Sequence, residues 1–458
     1  MSRYCKILFL VLFTVFLSQS QAYAAVYTCG TNGVNNSCTP SGLSSLVNNA
    51  THGDTINIAS GTHTWNSSVT LNKRLTISGG GACPDCGEED PSGSWFWPTT
   101  LVTNRNMAFL INGSDGTNPD FVRITGLFID GDPPNHSYSN GANTATIVMH
   151  TDNEMRYRID NIRFRPSGNA EQSSIRTNSD VGFGVTDHVY ISTSGSSTNG
   201  RFIHNTGHGG DAGDTDWTRP VIWGSANFHF IEDSTFIFPN YVPNTIPAGI
   251  EDQQGGGRCV IRYNYIKDAN FGNHGTESGW PARSGVAQEI YGNYVESNGN
   301  MFTANYWRGG SMYMYNNTVV GFQELIRWRV QRLTSSYGCG TCGSSSCTGI
   351  DGPGPPAGYP CIDQVGTGVA AGYGIENTQP QGRNPVYVWN NTRINTPVIH
   401  GGDWGTGYIE EGRDVFFSED SSAAPAGYKA YIYPHPFVVP VEVDDTIPSP
   451  PSNLQLGN

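Results

Sequence analysis

The residues best suited to chemistry fall in three groups. Glu251 and Asp252 precede Gly255-Gly256-Gly257 and Arg258, and His274, Glu277 and Arg283 follow within the next repeat. Paired carboxylates beside a histidine and an arginine suit two reactions. In glycoside hydrolysis one carboxyl protonates the leaving oxygen while the other acts as nucleophile or base. In a lyase acting on uronic acids, an arginine or Ca²⁺ neutralises the sugar carboxylate while a base removes the adjacent ring proton. The competing explanation is an ion-pair network tying two loops together. The second group is Gly207-His208-Gly209-Gly210-Asp211 with Asp214 and Asp216. This is either a glycine-rich loop with solvated acids or a Ca²⁺ site. The third is aromatic and cationic: Tyr306-Trp307-Arg308, Arg327-Trp328-Arg329 and Asp403-Trp404. Flat rings stack on sugars and arginine pairs bidentately with uronate, so Trp307, Arg308, Arg327 and Trp328, with Arg258, Arg283 and His208, are candidate substrate-binding residues.

The elements that must position these residues repeat along the chain. Val122 to Asp130 (VRITGLFID), Tyr157 to Phe164, Gly184 to Ile191, His229 to Phe238, Cys259 to Lys267, Ala287 to Glu296, Ser311 to Val320 and Pro385 to Ile394 each read as a short alternating strand, a polar or glycine turn and a second short strand. A unit of roughly 20 to 30 residues with occasional insertions predicts an all-β fold, a right-handed parallel β-helix with long loops on one face. Propeller blades are longer and are built from hairpins, whose signature is missing here. The turn residues Asn161, His188, Asp233, Asn264, Asn293 and Asn317 are assigned a structural role: asparagine tolerates the left-handed conformation, and its amide can bond to the same residue one coil on. The insertions, from about Ser192 to Asn227, Pro239 to Arg258, Asp268 to Val286, Ser297 to Gly310 and Gly321 to Asn384, recur at one phase of the coil. Loops at one phase build a wall or groove, and the candidate site residues fall in them.

Residues 1–24 carry Arg3 and Lys6, an apolar run from Ile7 to Leu17, and Ala22-Tyr23-Ala24, which predicts a cleaved export signal. No later run is long enough to span a bilayer, so no membrane insertion is expected. Residues 25–440 are expected to form the β-helix domain. Residues 441–458 are a Pro- and Ser-rich tail, a spacer composition expected to offer an attachment point to a partner. The formal net charge of −14 makes nucleic acid and anionic membranes poor partners. In an exported chain, Cys29 with Cys38, and Cys339, Cys342, Cys347 and Cys361, are most simply disulfide-forming, although the last four thiols could hold Zn²⁺. Cys259 heads a strand and is expected to be unpaired.

Together these repeats resemble the secreted β-helix proteins of the pectin-lyase-like superfamily. The opening Gly53-Asp54-Thr55-Ile56-Asn57-Ile58 looks like a first coil of that group. The close, Glu411-Gly412-Arg413-Asp414-Val415 with Tyr433-Pro434-His435-Pro436, is similar to a poorly characterised bacterial branch. Gly207-His208-Gly209 is similar to a motif of its polygalacturonases, without the upstream Asp pair or the downstream Arg-Ile-Lys. Asp187-His188 resembles part of a pectate-lyase strand motif, without its preceding aromatic residue. The resemblance implies a protein that works on extracellular polysaccharide, as lyase or glycoside hydrolase; the alternative is a non-catalytic surface adhesin or carbohydrate-binding scaffold.

Overall fold

The computed structural model describes residues 24–30, 37–87, 95–103, 107–112, 121–131, 146–150, 155–165, 173–178, 182–192, 201–206, 220–238, 250–273, 284–299, 301–330, 364–369, 381–405 and 409–438. Short strands stack in parallel into long sheets, which is a parallel β-helix. The first sheet has twelve strands, running from Val26–Thr28 to Val415–Ser418. The second has ten, from Gly61–Trp65 to Thr392–Ile394.

The third sheet corrects the sequence reading. Each coil has three strands, and from Arg201–Thr206 to Glu324–Trp328 the third lies inside what reads as an insertion. Six such strands run from Val69–Leu71 to Glu251–Gln254. Four more, Phe271–Gly272, Thr303–Trp307, Glu324–Trp328 and Val398–Gly402, continue the stack. The two parts meet where the Ile250 amide donates to the Asn270 carbonyl at 2.9 Å. Strands such as EDQQ lack the apolar alternation that marks the other two sheets, because their inward positions are themselves partly polar.

First and second sheets join through a tight turn whose leading residue has positive φ in every coil from Gly126 on: Asn161, His188, Asp233, Tyr263, Gly292, Asn316 and Asn390 occupy it. The buried asparagine ladder stands one residue later, so Asn161, His188 and Asp233 are not its members. It runs through Asn264, Asn293, Asn317 and Asn391, with amide-to-amide bonds of 3.0, 2.9 and 2.9 Å. Each side chain bonds its counterpart one coil on, as expected from the sequence.

A helix not foreseen in the sequence, Pro40–Asn49, closes the N-terminal end of the stack with Leu43, Leu46 and Val47 buried. Thr39 caps its start, and the Lys73 ammonium donates to the carbonyls of Val47, Asn48 and Ala50 at its end.

Residues 424–438 run back over the outer face of the first sheet. That face carries a file of paired charges. Arg123 grips Asp160 and Arg158 grips Asp187, each with two hydrogen bonds, and fully buried Arg262 pairs with Glu232. The strap completes them: the carbonyls of Tyr431 and Ile432 accept from Arg262, that of Phe437 accepts from Arg158, and the His435 amide donates to Glu232. Farther along, the Tyr428 hydroxyl donates to Glu289.

Disulfides join Cys29 to Cys38 and Cys83 to Cys86, while Cys259 is free and buried. Two disulfides fit an oxidising compartment. The cysteines from 339 to 361, residues 1–23 and the tail from 441 lie outside the described residues. No helix among the described residues is long and apolar enough to cross a membrane.

Candidate functional site on the third sheet

The third sheet decides the fate of the candidate residues, because side chains alternate between faces along a strand. Glu251 and Asp252 are adjacent in one strand, so the expected carboxylate pair is split. Glu251 points into the solenoid, almost fully buried, and accepts from the Gln288 amide at 2.6 Å. Asp252 stands in the strand between buried Glu251 and Gln253, in register with His204. The glycines that follow do make a sharp corner, with φ of 58° at Gly255 and 87° at Gly256. Arg258 starts the next first-sheet strand and donates to the Pro220 carbonyl, anchoring a loop there.

The same alternation corrects the aromatic expectation. Trp307 and Trp328 are fully buried, so neither ring offers a stacking face to a sugar. Trp328 instead bonds His400, which stacks on Trp404. Their neighbours Tyr306 and Arg327 are partly exposed and paired in register. Arg308, just past its strand, is mostly buried; its guanidinium donates to the Asn273 carbonyl at 2.7 Å and lies over the Tyr306 ring. His274, Glu277, Arg283, His208, Asp211, Asp214 and Asp216 lie outside the described residues. Among the described residues no three His, Cys, Asp or Glu side chains are grouped to hold a metal.

Along the third sheet a register file runs in two parts. In the first, Arg176, His204 and Asp252 are register partners on consecutive strands. In the second, Gly272, Tyr306, Arg327 and Gly401 follow one another. Stacked strands lie about 4.8 Å apart, so neighbouring residues in a file are close enough to meet one ligand.

Around the second part, Glu324 and Phe302 were missed in the sequence, whereas Arg329 belongs to a group the sequence singled out. Glu324 lies against Arg327, with both oxygens 3.4 Å from its guanidinium. Burial pushes the Glu324 carboxyl above its ordinary value, against the pull of Arg327. Gly401 makes this placement possible, since a Cβ there would sit 2.1 Å from the Glu324 carboxylate. Arg329 donates to the Tyr306 hydroxyl at 3.2 Å. Phe302 is exposed and faces the Arg327 guanidinium at 4.5 Å. The segments 207–219, 274–283 and 331–363 all leave from the ends of third-sheet strands.

Asp187 and His188 belong elsewhere. Asp187 is an outer member of the first sheet, held by Arg158 and by the His188 imidazole at 2.8 Å. These partners depress the Asp187 carboxyl and raise His188 despite burial.

No known family model matches the chain, and no curated protein matches it significantly.

Proposed function

We propose that this is a secreted carbohydrate-active β-helix protein that binds an extracellular polysaccharide along the outer face of its third sheet and cleaves it as a lyase or glycoside hydrolase. A pectin-lyase-like affiliation is part of the same reading. The observation that carries it is the third sheet's set of partly exposed side chains, Arg176 on one strand and, farther along, Tyr306 and Arg327 in register with Glu324 alongside. Arginines spaced along a solenoid match the repeated carboxylates of an acidic polysaccharide. The exposed Phe302 ring supplies a flat apolar face. A glutamic acid with a raised pKa suits proton donation to a leaving oxygen. Ca²⁺ belongs to this proposal only as an assay variable, through the acidic run at Asp211, Asp214 and Asp216.

A second reading, a non-catalytic adhesin or binding scaffold attached through the tail, is favoured by one observation: Glu251 is buried inside the solenoid and bonded to Gln288. One experiment separates the two. The mature protein is incubated with acidic and neutral polysaccharides, with Ca²⁺ and with chelator, while ultraviolet absorbance and reducing ends are followed. An unsaturated product identifies a lyase, and reducing ends without it a hydrolase. Binding without turnover on every polymer refutes the catalytic proposal.

A further inference from the structure

The interior of the solenoid carries its own polar column. On the inward side of the first sheet, Tyr157, Gly184, His229, Cys259, Gln288 and Met312 are successive register partners. The Tyr157 ring lies across Gly184, where a Cβ would come within 2.6 Å of it, and the Tyr157 hydroxyl reaches His229 Nδ1 at 2.8 Å. Opposite, Glu251 and Gln253 face inward from the third sheet. Three buried amides here have their NH₂ groups committed. Gln288 donates to Glu251, Gln253 to the Ala287 carbonyl at 3.3 Å, and Asn305 to the sulfur atoms of Met312 and Met314.

Their oxygens are another matter. Gln253 Oε1, Gln288 Oε1 and Asn305 Oδ1, together with the Trp307 indole N–H, have no hydrogen-bond partner among the described residues, and all four side chains are fully buried. Buried polar atoms left unsatisfied in this way are strongly disfavoured, and four within three successive coils call for a common occupant. We propose that the solenoid interior between the strands Arg258–Arg262 and Ser311–Tyr315 is a binding site for ordered water molecules, which also hydrate the Glu251 carboxylate. The mixture of orphaned groups selects water. A cation would satisfy three oxygens but would be repelled by the Trp307 N–H, whereas water donates to oxygens and accepts from an indole.

The test uses the full mature chain. Oxygen-17 magnetic relaxation dispersion counts waters that exchange slowly enough to be internal, and a high-resolution crystal structure locates them. The expected result is long-lived water in the wild-type protein and density about 2.7 to 3.2 Å from Gln288 Oε1, Asn305 Oδ1 and Trp307 Nε1. Asn305→Leu and Gln288→Met should each lower the long-lived count, while exposed Asn316→Gly should leave it unchanged. If either core variant fails to fold, the wild-type density alone decides. Absence of long-lived water, repacking that gives these atoms protein partners, or density at metal–oxygen distances of about 2.4 Å would overturn the proposal.

Discussion

Replacing Asn293 by alanine tests the division of labour at the turn between the first and second sheets. Its side-chain nitrogen donates to the carbonyls of Ile261 and Tyr291 and to Asn317 Oδ1, at 2.9, 3.2 and 2.9 Å. Its oxygen accepts from the Asn264 backbone amide and side chain, both at 3.0 Å. Truncation therefore removes several net hydrogen bonds at roughly 1 kcal/mol each and leaves the buried Asn264 N–H unsatisfied at about 1 to 3 kcal/mol, so the loss should be about 4 kcal/mol. Asn316 offers the contrast. It occupies the preceding, left-handed position at φ 54°, and its exposed side chain accepts one bond, from Asn390. Glycine serves naturally at that position in Gly126 and Gly292, so Asn316→Gly should stay within about 0.5 kcal/mol of wild type. Urea titrations of the two variants, followed by tryptophan fluorescence, measure both values. Equal losses, or a loss under about 1 kcal/mol for Asn293→Ala, would show that the ladder does not act as described.

Arg327→Ala and Glu324→Gln should each reduce turnover of whichever polysaccharide the panel identifies by about tenfold or more while leaving the melting temperature within a few degrees, since both groups border solvent. A melting shift that parallels the activity loss would assign them to stability instead. Removing residues 424–438 should destabilise the protein strongly, because Arg158, Arg262 and Glu232 would lose strap partners on a face of buried charge; an unchanged urea midpoint would contradict this. His229 is buried and held near pKa 4, below its ordinary 6.5, so the fold favours the neutral ring. Its contribution is complete above about pH 6.5 and is lost as pH falls toward 4, a change on the order of 3 kcal/mol. His229→Gln should flatten that acid limb in stability–pH curves; a limb of unchanged depth would place its origin elsewhere. Burial pushes the Cys259 thiol well up, so native protein should resist maleimide until denatured, and rapid native labelling would refute its placement.

The fold was legible because two of three strands per coil carry alternating apolar residues and end on a recognisable turn. Val122–Thr125 and Phe128–Asp130 show the pattern in one line of sequence. The third strand was not legible, since Glu251–Gln254 sends Glu251 and Gln253 inward as polar residues and so mimics a loop. That single omission explains the errors at the site. With a loop assumed, Glu251 and Asp252 seem free to converge, and Trp307 and Trp328 seem free to reach solvent. With a strand, alternation sends Glu251 inward, buries Trp307 and Trp328 together and leaves Tyr306 and Arg327 partly exposed. The register partners His204 and Arg176 were invisible for a different reason: each lies a coil away, at a distance set by insertions of unequal length.

The two charged faces of the solenoid differ in a way that bears on function. On the first sheet, charge is consumed: Arg123, Arg158 and Arg262 each face a carboxylate one coil away, and the strap 424–438 supplies further acceptors. Such a face has little left with which to bind an anionic chain, and its raised or lowered pKa values follow from mutual neutralisation and burial. On the third sheet the chemistry is arranged otherwise. Glu324 meets Arg327 only at 3.4 Å, Phe302 remains exposed beside it, and Tyr306 and Arg327 stand between Gly272 and Gly401 in the file, so that relief is built into the surface itself. Relief along a straight, evenly spaced file is what a linear polymer can engage at several points at once, whereas a sealed face cannot exchange its partners without unfolding the strap. The contrast makes the third sheet, and not the richer-looking Asp187-His188 pair of the first, the place where substitutions should change the proposed polysaccharide handling without first changing the fold.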